Sequence, residues 1–144
     1  FFFVMTRRAI LWFRNDLRLR DNQLFNYKQV CQAKELLAVY CIDPRHFVKS
    51  TWGEHPRIAP HRLRFLAESL EDLDQSLQRL GSKLWVVSGQ PEDVLPSLLG
   101  PGDALAFQRE DTTEEQAVEA AVLERLPQGI SALRHWGHTL YHRD

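Results

Sequence analysis

The chain has 144 residues, enough for one domain and too few for two that each bury a core. Hydrophobic residues make up 44% and charged residues 26%, with seven glycines, seven prolines and no low-complexity tract, which excludes a disordered, collagen-like or disulfide-stapled protein. The net charge of −1 hides an asymmetry: residues 1–64 carry twelve Lys/Arg against five Asp/Glu, and residues 65–144 carry six against fourteen. Five arginines, Arg7, Arg8, Arg14, Arg18 and Arg20, fall within fourteen residues and form a candidate anion-attracting patch. Cys31 and Cys41 are the only cysteines, which fits free thiols in a reducing compartment and leaves no Cys pair for a metal. The apolar start, Phe1 to Met5, stops at Thr6-Arg7-Arg8 and is too short for a signal sequence. No run approaches the length of a membrane span. Met5 is a candidate natural start.

Short apolar runs alternate with segments of helical period. Ala9-Ile10-Leu11-Trp12-Phe13 reads as a strand covered on both faces, and Leu36 to Ile42, Leu84 to Val87, Ala104 to Phe107 and Ile130 to Leu133 read as four more. Residues 21–33, with Leu24, Phe25, Val30 and Cys31, predict a first helix. Leu63, Leu66, Leu70, Leu73, Leu77 and Leu80 recur every three or four residues, after Pro60 and before Gly81, and predict a long amphipathic helix. A short helix opens at Pro91-Glu92-Asp93 and ends before Gly100-Pro101-Gly102. The last helix begins at Thr112-Thr113-Glu114-Glu115, where a threonine caps with an acid or amide three residues on, and its expected buried stripe is Ala117, Val118, Ala121, Val122 and Leu126. The βαβαβαβαβ order predicts an α/β fold, a Rossmann-like doubly wound five-stranded parallel sheet with helices on both faces and a ligand crevice at the carboxyl ends of the strands. The one long irregular stretch runs from Asp43 to Ala59, and such loops in compact domains are often functional.

No G-x-G-x-x-G follows the first strand, and neither a phosphate-binding G-x-x-x-x-G-K-[ST] loop nor a G-x-S-x-G elbow occurs, which counts against hydride transfer, nucleotide hydrolysis and hydrolase chemistry. His135, His138, His142 and Asp144 resemble metal ligands, yet their spacing crosses from a strand into a loop and defines no ligand face, so no metal site is expected. Where a phosphate loop would stand, Arg14, Asp16, Arg18, Arg20 and Asp21 follow the first strand. They are suited either to a ligand crevice or to a salt-bridged turn. A second polar set, Gln108, Arg109, Glu110, Asp111, Glu114 and Glu115, follows the fourth strand. The loops after strands one and four flank the switch point of a doubly wound sheet. A carboxylate there is suited to accept two parallel N–H bonds from a pterin-like ring while arginines hold an anionic tail, and helix capping is the competing use of Glu115.

Leu11-Trp12-Phe13-Arg14-Asn15-Asp16-Leu17-Arg18-Leu19-Arg20-Asp21-Asn22 resembles the amino-terminal signature of the photolyase/cryptochrome family, and the Asn after Phe-Arg resembles its DASH-type branch. Asp43-Pro44-Arg45-His46-Phe47, the run from Arg62 to Leu73, Gly89-Gln90-Pro91-Glu92-Asp93-Val94-Leu95-Pro96, and Trp136 to His142 resemble further segments of that branch, in order along the chain. Arg20 stands where histidine is expected, and Phe25-Asn26-Tyr27 and Trp52 also depart from the pattern.

The resemblance implies an antenna-pigment α/β domain at residues 9–141, an extension at 1–8, and at 142–144 the start of a linker to a helical FAD-binding domain absent from this sequence. It implies 5,10-methenyltetrahydrofolate as the antenna pigment, with Arg14, Asp16 and Arg18 shaping the crevice and Glu110 or Glu115 contacting the pigment. In the family, reduced FAD in the helical domain drives blue-light repair of cyclobutane pyrimidine dimers, chiefly in single-stranded DNA in this branch, or blue-light sensing. The fragment alone is expected to lack repair activity. Trp12, Trp52, Trp85 and Trp136 are not the family's electron-transfer tryptophans, and sheet packing suits Trp12 and Trp85. A soluble intracellular location is expected, cytoplasmic in a bacterium or organellar in a eukaryote. The alternatives are a stand-alone nucleotide-binding or signalling module, which the missing glycine motif weakens, and an inactive fragment.

Overall fold

The structure is a computed structural model that describes residues 6–49, 53, 55–137 and 139–140. Five strands form one wholly parallel sheet: β1 (Arg8–Phe13), β2 (Glu35–Ile42), β3 (Leu84–Ser88), β4 (Ala104–Gln108) and β5 (Ser131–His135). Their spatial order is β3-β2-β1-β4-β5. Ile10 lies beside Leu37 on one side and Leu105 on the other, which fixes β1 as the central strand. The chain therefore builds outward from β1 to β3 and then returns across β1 to start β4, placing the switch point between β1 and β4.

The central strand shows why the apolar runs are unbroken. Side chains alternate across a strand, so Ala9, Leu11 and Phe13 enter one core while Ile10 and Trp12 enter the other. On the first face these residues meet Leu70, Leu73 and Leu77 of α2 (Pro60–Arg79) and Val30 of α1 (Lys28–Cys31). On the second they meet Leu95 of α3 (Pro91–Leu98) and Val122 of α4 (Thr113–Glu124). The doubly wound α/β architecture expected from the element order is thus present. Pro60 and Pro91 each stand in the first turn of a helix, where a missing N–H costs nothing and the fixed φ favours entry.

Several local expectations need correction. The first helix is not continuous: a 3₁₀ turn at Gln23–Asn26, capped by the Asn22 side chain, is separated from the four-residue α1 by extended Tyr27. The α2 stripe is shorter than its leucine period: Leu70, Leu73 and Leu77 are buried, whereas Leu63 is 42% and Leu80 74% exposed. In α4 the buried stripe includes Glu119, while Ala117 is exposed. Trp12 is packed in the core, but Trp85, on the edge strand β3, is 46% exposed and has the Lys83 ammonium 5.1 Å from its ring. β5 runs on to His135, so that residue is in the sheet; His138, His142 and Asp144 lie outside the described residues. Among the described residues no metal-binding cluster occurs, and no helix is long and apolar enough to cross a membrane.

Candidate functional site

At the carboxyl ends of β1 and β2, beside α4, the sheet opens into a cavity of about 570 Å³. Two features of the sequence create the space. On α4, Ala117 and Ala121 lie one turn apart and present only methyl groups, with Val118 between them. Near the ends of their strands, Trp12 and Cys41 line the cavity on the α4 face of the sheet, and Phe13 and Tyr40 line it on the α2 face. The 3₁₀ turn after β2 (Pro44–Phe47) and the first turns of α2 and α3 complete the wall.

Arg45 is the best-connected cation of that wall. Its Nε donates to both Asp43 oxygens at 2.9 Å, and its two terminal nitrogens donate to the Glu92 carboxylate at 2.9 and 3.0 Å. Asp43 also caps the turn by accepting from the Arg45 backbone N–H at 2.9 Å. Glu92 sits in the first turn of α3, where an acid complements the helix dipole. The two carboxylates are buried and the guanidinium is partly open to the cavity. Burial works against ionisation of Asp43, but the hydrogen bonds and charge of Arg45, with His46 behind it, hold the carboxyl below its ordinary value. The same carboxylates act on Cys41: burial first, then Asp43 and Glu92, push its thiol up to about 12. Tyr40 is also raised, by burial and by Cys41, with Arg62 opposing.

The residues singled out in the sequence fall in different places. Arg14 lies on the cavity wall with its guanidinium 4.5 Å from the Trp12 ring centre, but its nitrogens are committed inward. They donate to the Gln108 carbonyl at 3.2 Å, to Glu119 at 3.2 Å and to the Glu115 carbonyl at 3.0 Å. Glu115 also lines the cavity; its carboxylate accepts from Asn15 at 3.0 Å and from the Thr112 hydroxyl at 2.8 Å, while its backbone N–H donates to that hydroxyl at 3.3 Å. Capping and cavity lining are therefore combined in one residue. Asp16 is buried off the wall, accepting from the Arg14 N–H at 3.1 Å and from Asn22 at 3.0 Å, and it organises the turn after β1. Arg18 pairs with Asp21 at 3.0 Å on the surface, away from the cavity. Glu110 is buried beyond the end of β4 and is not on the wall.

Sequence reasoning missed Asp43, Arg45, Arg57, Arg62 and Glu92 as cavity residues. The length of the 43–59 loop was the available signal for the first three. Glu92 carried only the signature of a helix start.

Comparison with known proteins gives this cavity a context. Residues 9–144 match the DNA photolyase family. A cryptochrome DASH of Xenopus laevis is 41% identical over 145 residues, covering 98% of this chain and 28% of that protein. The chloroplastic/mitochondrial cryptochrome DASH of Arabidopsis thaliana is 40% identical over 141 residues, covering 94% and 25%. An archaeal photolyase from Sulfolobus tokodaii, solved with two FAD molecules, superposes with a TM-score of 0.79 at 25% identity, over 94% of this chain and 32% of that one. The chain thus spans between a quarter and a third of these relatives, over the stretch that forms their amino-terminal α/β domain. The parallel sheet, its switch-point cavity and the match over nearly the whole sequence agree: this chain belongs to the DNA photolyase family.

Proposed function

We propose that this chain is the light-harvesting part of a DASH-type photolyase or cryptochrome, and that its switch-point cavity holds the antenna pigment. The observation that carries the reading is the cavity itself, about 570 Å³ and walled by aromatic rings, two alanines, arginines and carboxylates. That donor set fits a flat heteroaromatic pigment. Trp12 offers a ring face on the α4 side of the sheet, Ala117 and Ala121 leave a slot of low height beside it, and Glu115 supplies carboxylate oxygens to ring N–H groups. The pigment proposed is 5,10-methenyltetrahydrofolate, which would absorb near-ultraviolet or blue light and pass the excitation on.

The remaining activity is assigned to regions of the relatives that this chain does not align with. There a helical domain would bind FAD, receive the excitation, and use reduced flavin to split cyclobutane pyrimidine dimers in single-stranded DNA or to signal blue light. The helical domain and the DNA are the proposed partners. An intracellular site is proposed, cytoplasmic or organellar; one plant relative is described as chloroplastic/mitochondrial.

The test is a titration of the chain with 5,10-methenyltetrahydrofolate, followed by its absorption and fluorescence. A saturable spectral change that disappears in Ala121→Phe, which fills the slot, supports the reading. No spectral change, or equal binding by Ala121→Phe, overturns pigment capture in this cavity. ATP serves as the control for the nucleotide-binding alternative.

A further inference from the structure

We propose that the groove between α1 and the last turn of α2, toward the amino ends of the strands, is a docking site for an acidic amphipathic helix of a partner protein. It lies at the opposite end of the sheet from the switch-point cavity and does not depend on what that cavity holds.

The groove arises from a short crossover. The chain from β2 to β3 is filled by the 20 residues of α2, that from β3 to β4 by the 8 of α3 and that from β4 to β5 by the 12 of α4. Between β1 and β2 stand only the four-residue 3₁₀ turn and the four-residue α1. Two full helices therefore cover one face of the sheet, whereas α2 alone spans the other. A cavity of about 270 Å³ remains beside it, lined by Leu11 and Ala38 of the sheet, by Phe25, and by Leu36, Leu77 and Leu80. Leu11 and Ala38 are core residues, so the groove reaches the interior, while Leu36 and Leu80 stand exposed. A neighbouring cleft shares Leu36 and Ser82 with it and adds Lys83 and the exposed Trp85. Single exposed leucines are ordinary, but three large apolar side chains grouped around an opening to the core mark an interaction surface.

Charge narrows the choice of partner. Lys34 is two residues from Leu36, Arg79 precedes Leu80, and Lys83 lines the cleft. All three are exposed, and among the described residues none pairs with a carboxylate. Of the nearby acids, Asp74 is committed to the Leu84 N–H at 2.8 Å and to the Gln78 amide at 2.6 Å, which leaves Glu35 on the surface there. The rim is therefore cationic around an apolar centre. An amphipathic helix laid beside α2 takes the place of the missing crossover helix, with apolar anchors at helical spacing entering the groove. Burial of those anchors carries the affinity, and acids flanking them meet the three cations, which steers the encounter and rejects a basic helix.

The probe is a synthetic peptide of about fourteen residues made of Leu, Ala and Glu, with leucines at i, i+3, i+4 and i+7, and the control is the same peptide with every Glu replaced by Lys. Each is titrated into the ¹⁵N-labelled chain, read through the backbone amide signals. The acidic peptide is expected to move Leu36, Leu80 and Lys83 and to leave Arg45 and Glu115, at the far end of the sheet, in place. The basic peptide is expected to bind at least about tenfold more weakly. No movement with the acidic peptide, movement spread over both ends, or equal binding of the two peptides overturns the proposal. Two exposed positions supply variants whose folding is verified by their unfolding midpoints. Leu80→Ser is expected to weaken the acidic peptide by about tenfold, and Lys83→Glu to weaken it while strengthening the basic one. Unchanged affinities in both variants also overturn the assignment. A dilution series of the chain alone tests the other occupant: if the same amides move with the concentration of the chain itself, the groove is filled by a second copy and the partner helix is refuted.

Discussion

Arg14 holds its guanidinium 4.5 Å from the centre of the Trp12 ring, so the last turn of the central strand and the loop that follows are locked to one another. From that position the fork reaches Gln108, Glu115 and Glu119, tying β1 to β4 and α4 across the switch point. Arg14 and Glu119 are both nearly excluded from solvent, at 7% and 8% side-chain exposure. Truncating Arg14 strands a buried carboxylate, an event that costs about 3–5 kcal/mol. Arg134, 3.7 Å from the other Glu119 oxygen, cushions the loss, so Arg14→Ala is expected at the lower end, about 3 kcal/mol. Arg14→Lys keeps the charge but cannot span three acceptors, and recovers only part. Urea unfolding measures both. A loss under about 1 kcal/mol for Arg14→Ala would show that the guanidinium does not act as a strut.

The Asp43–Arg45 pair makes stability depend on acid. A carboxyl held below its ordinary value contributes stability above the unfolded value, about 3.9, and that contribution is lost as pH falls through the folded value. Arg45 remains charged throughout this range, because Asp43 and Glu92 raise its affinity for the proton. Replacing Arg45 with Gln removes the cause of the depression. The variant is therefore expected to start less stable at pH 6 and to lose less stability between about pH 4 and pH 2 than wild type does. Urea midpoints across that range decide it: parallel curves for the two proteins would refute the linkage.

The extent to which the sequence disclosed this arrangement differs between fold and site. Strands buried on both faces declare themselves as unbroken apolar runs, so the five-stranded sheet and its winding were legible. Residues whose burial depends on how the ends of a helix meet the sheet were not: Leu63 and Leu80 keep the leucine period of α2 yet are exposed. Trp85 misled for a similar reason, since a continuous apolar run does not distinguish a central strand from an edge such as β3. Arg14 and Glu115 lay in loops whose place at the switch point follows from the topology. Glu92, by contrast, meets Arg45 from 47 residues away, and no local pattern announces a pair formed only when α3 docks beside β2.

Cys41 offers a probe of the cavity floor. It is buried, and its thiol is pushed up to about 12 by burial and then by the charges of Asp43 and Glu92, so it holds its proton at neutral pH. Cys31 is exposed. Because the thiolate is the reactive form, iodoacetamide at pH 8 is expected to label Cys31 in the folded protein and Cys41 only after denaturation. Peptide mapping by mass spectrometry reads the two sites separately. Equal labelling rates under native conditions would mean that the cavity floor is open and its thiol unperturbed.

Gly89 controls how α3 leaves β3. Its φ of +150° is poorly accessible to other residues, and a Cβ at this position would lie 2.8 Å from Cγ2 of Val94. Its N–H meanwhile donates to the Ile42 carbonyl at 3.0 Å, so the backbone is not free to swing away. Gly89→Ala must therefore strain the turn or push α3 outward, at a cost of about 1–3 kcal/mol. The two causes separate in a double-mutant cycle with Val94→Ala. If the steric clash dominates, Gly89→Ala costs less in the Val94→Ala background than in wild type; if the backbone conformation dominates, the cost is the same in both. The clash matters for the site because α3 carries Glu92. A clash-dominated result therefore carries a second expectation: Gly89→Ala loosens the hold of Glu92 on Arg45, and its acid sensitivity moves toward that of Arg45→Gln. A stable Gly89→Ala protein with an unchanged pH profile would show that α3 is not positioned through this contact.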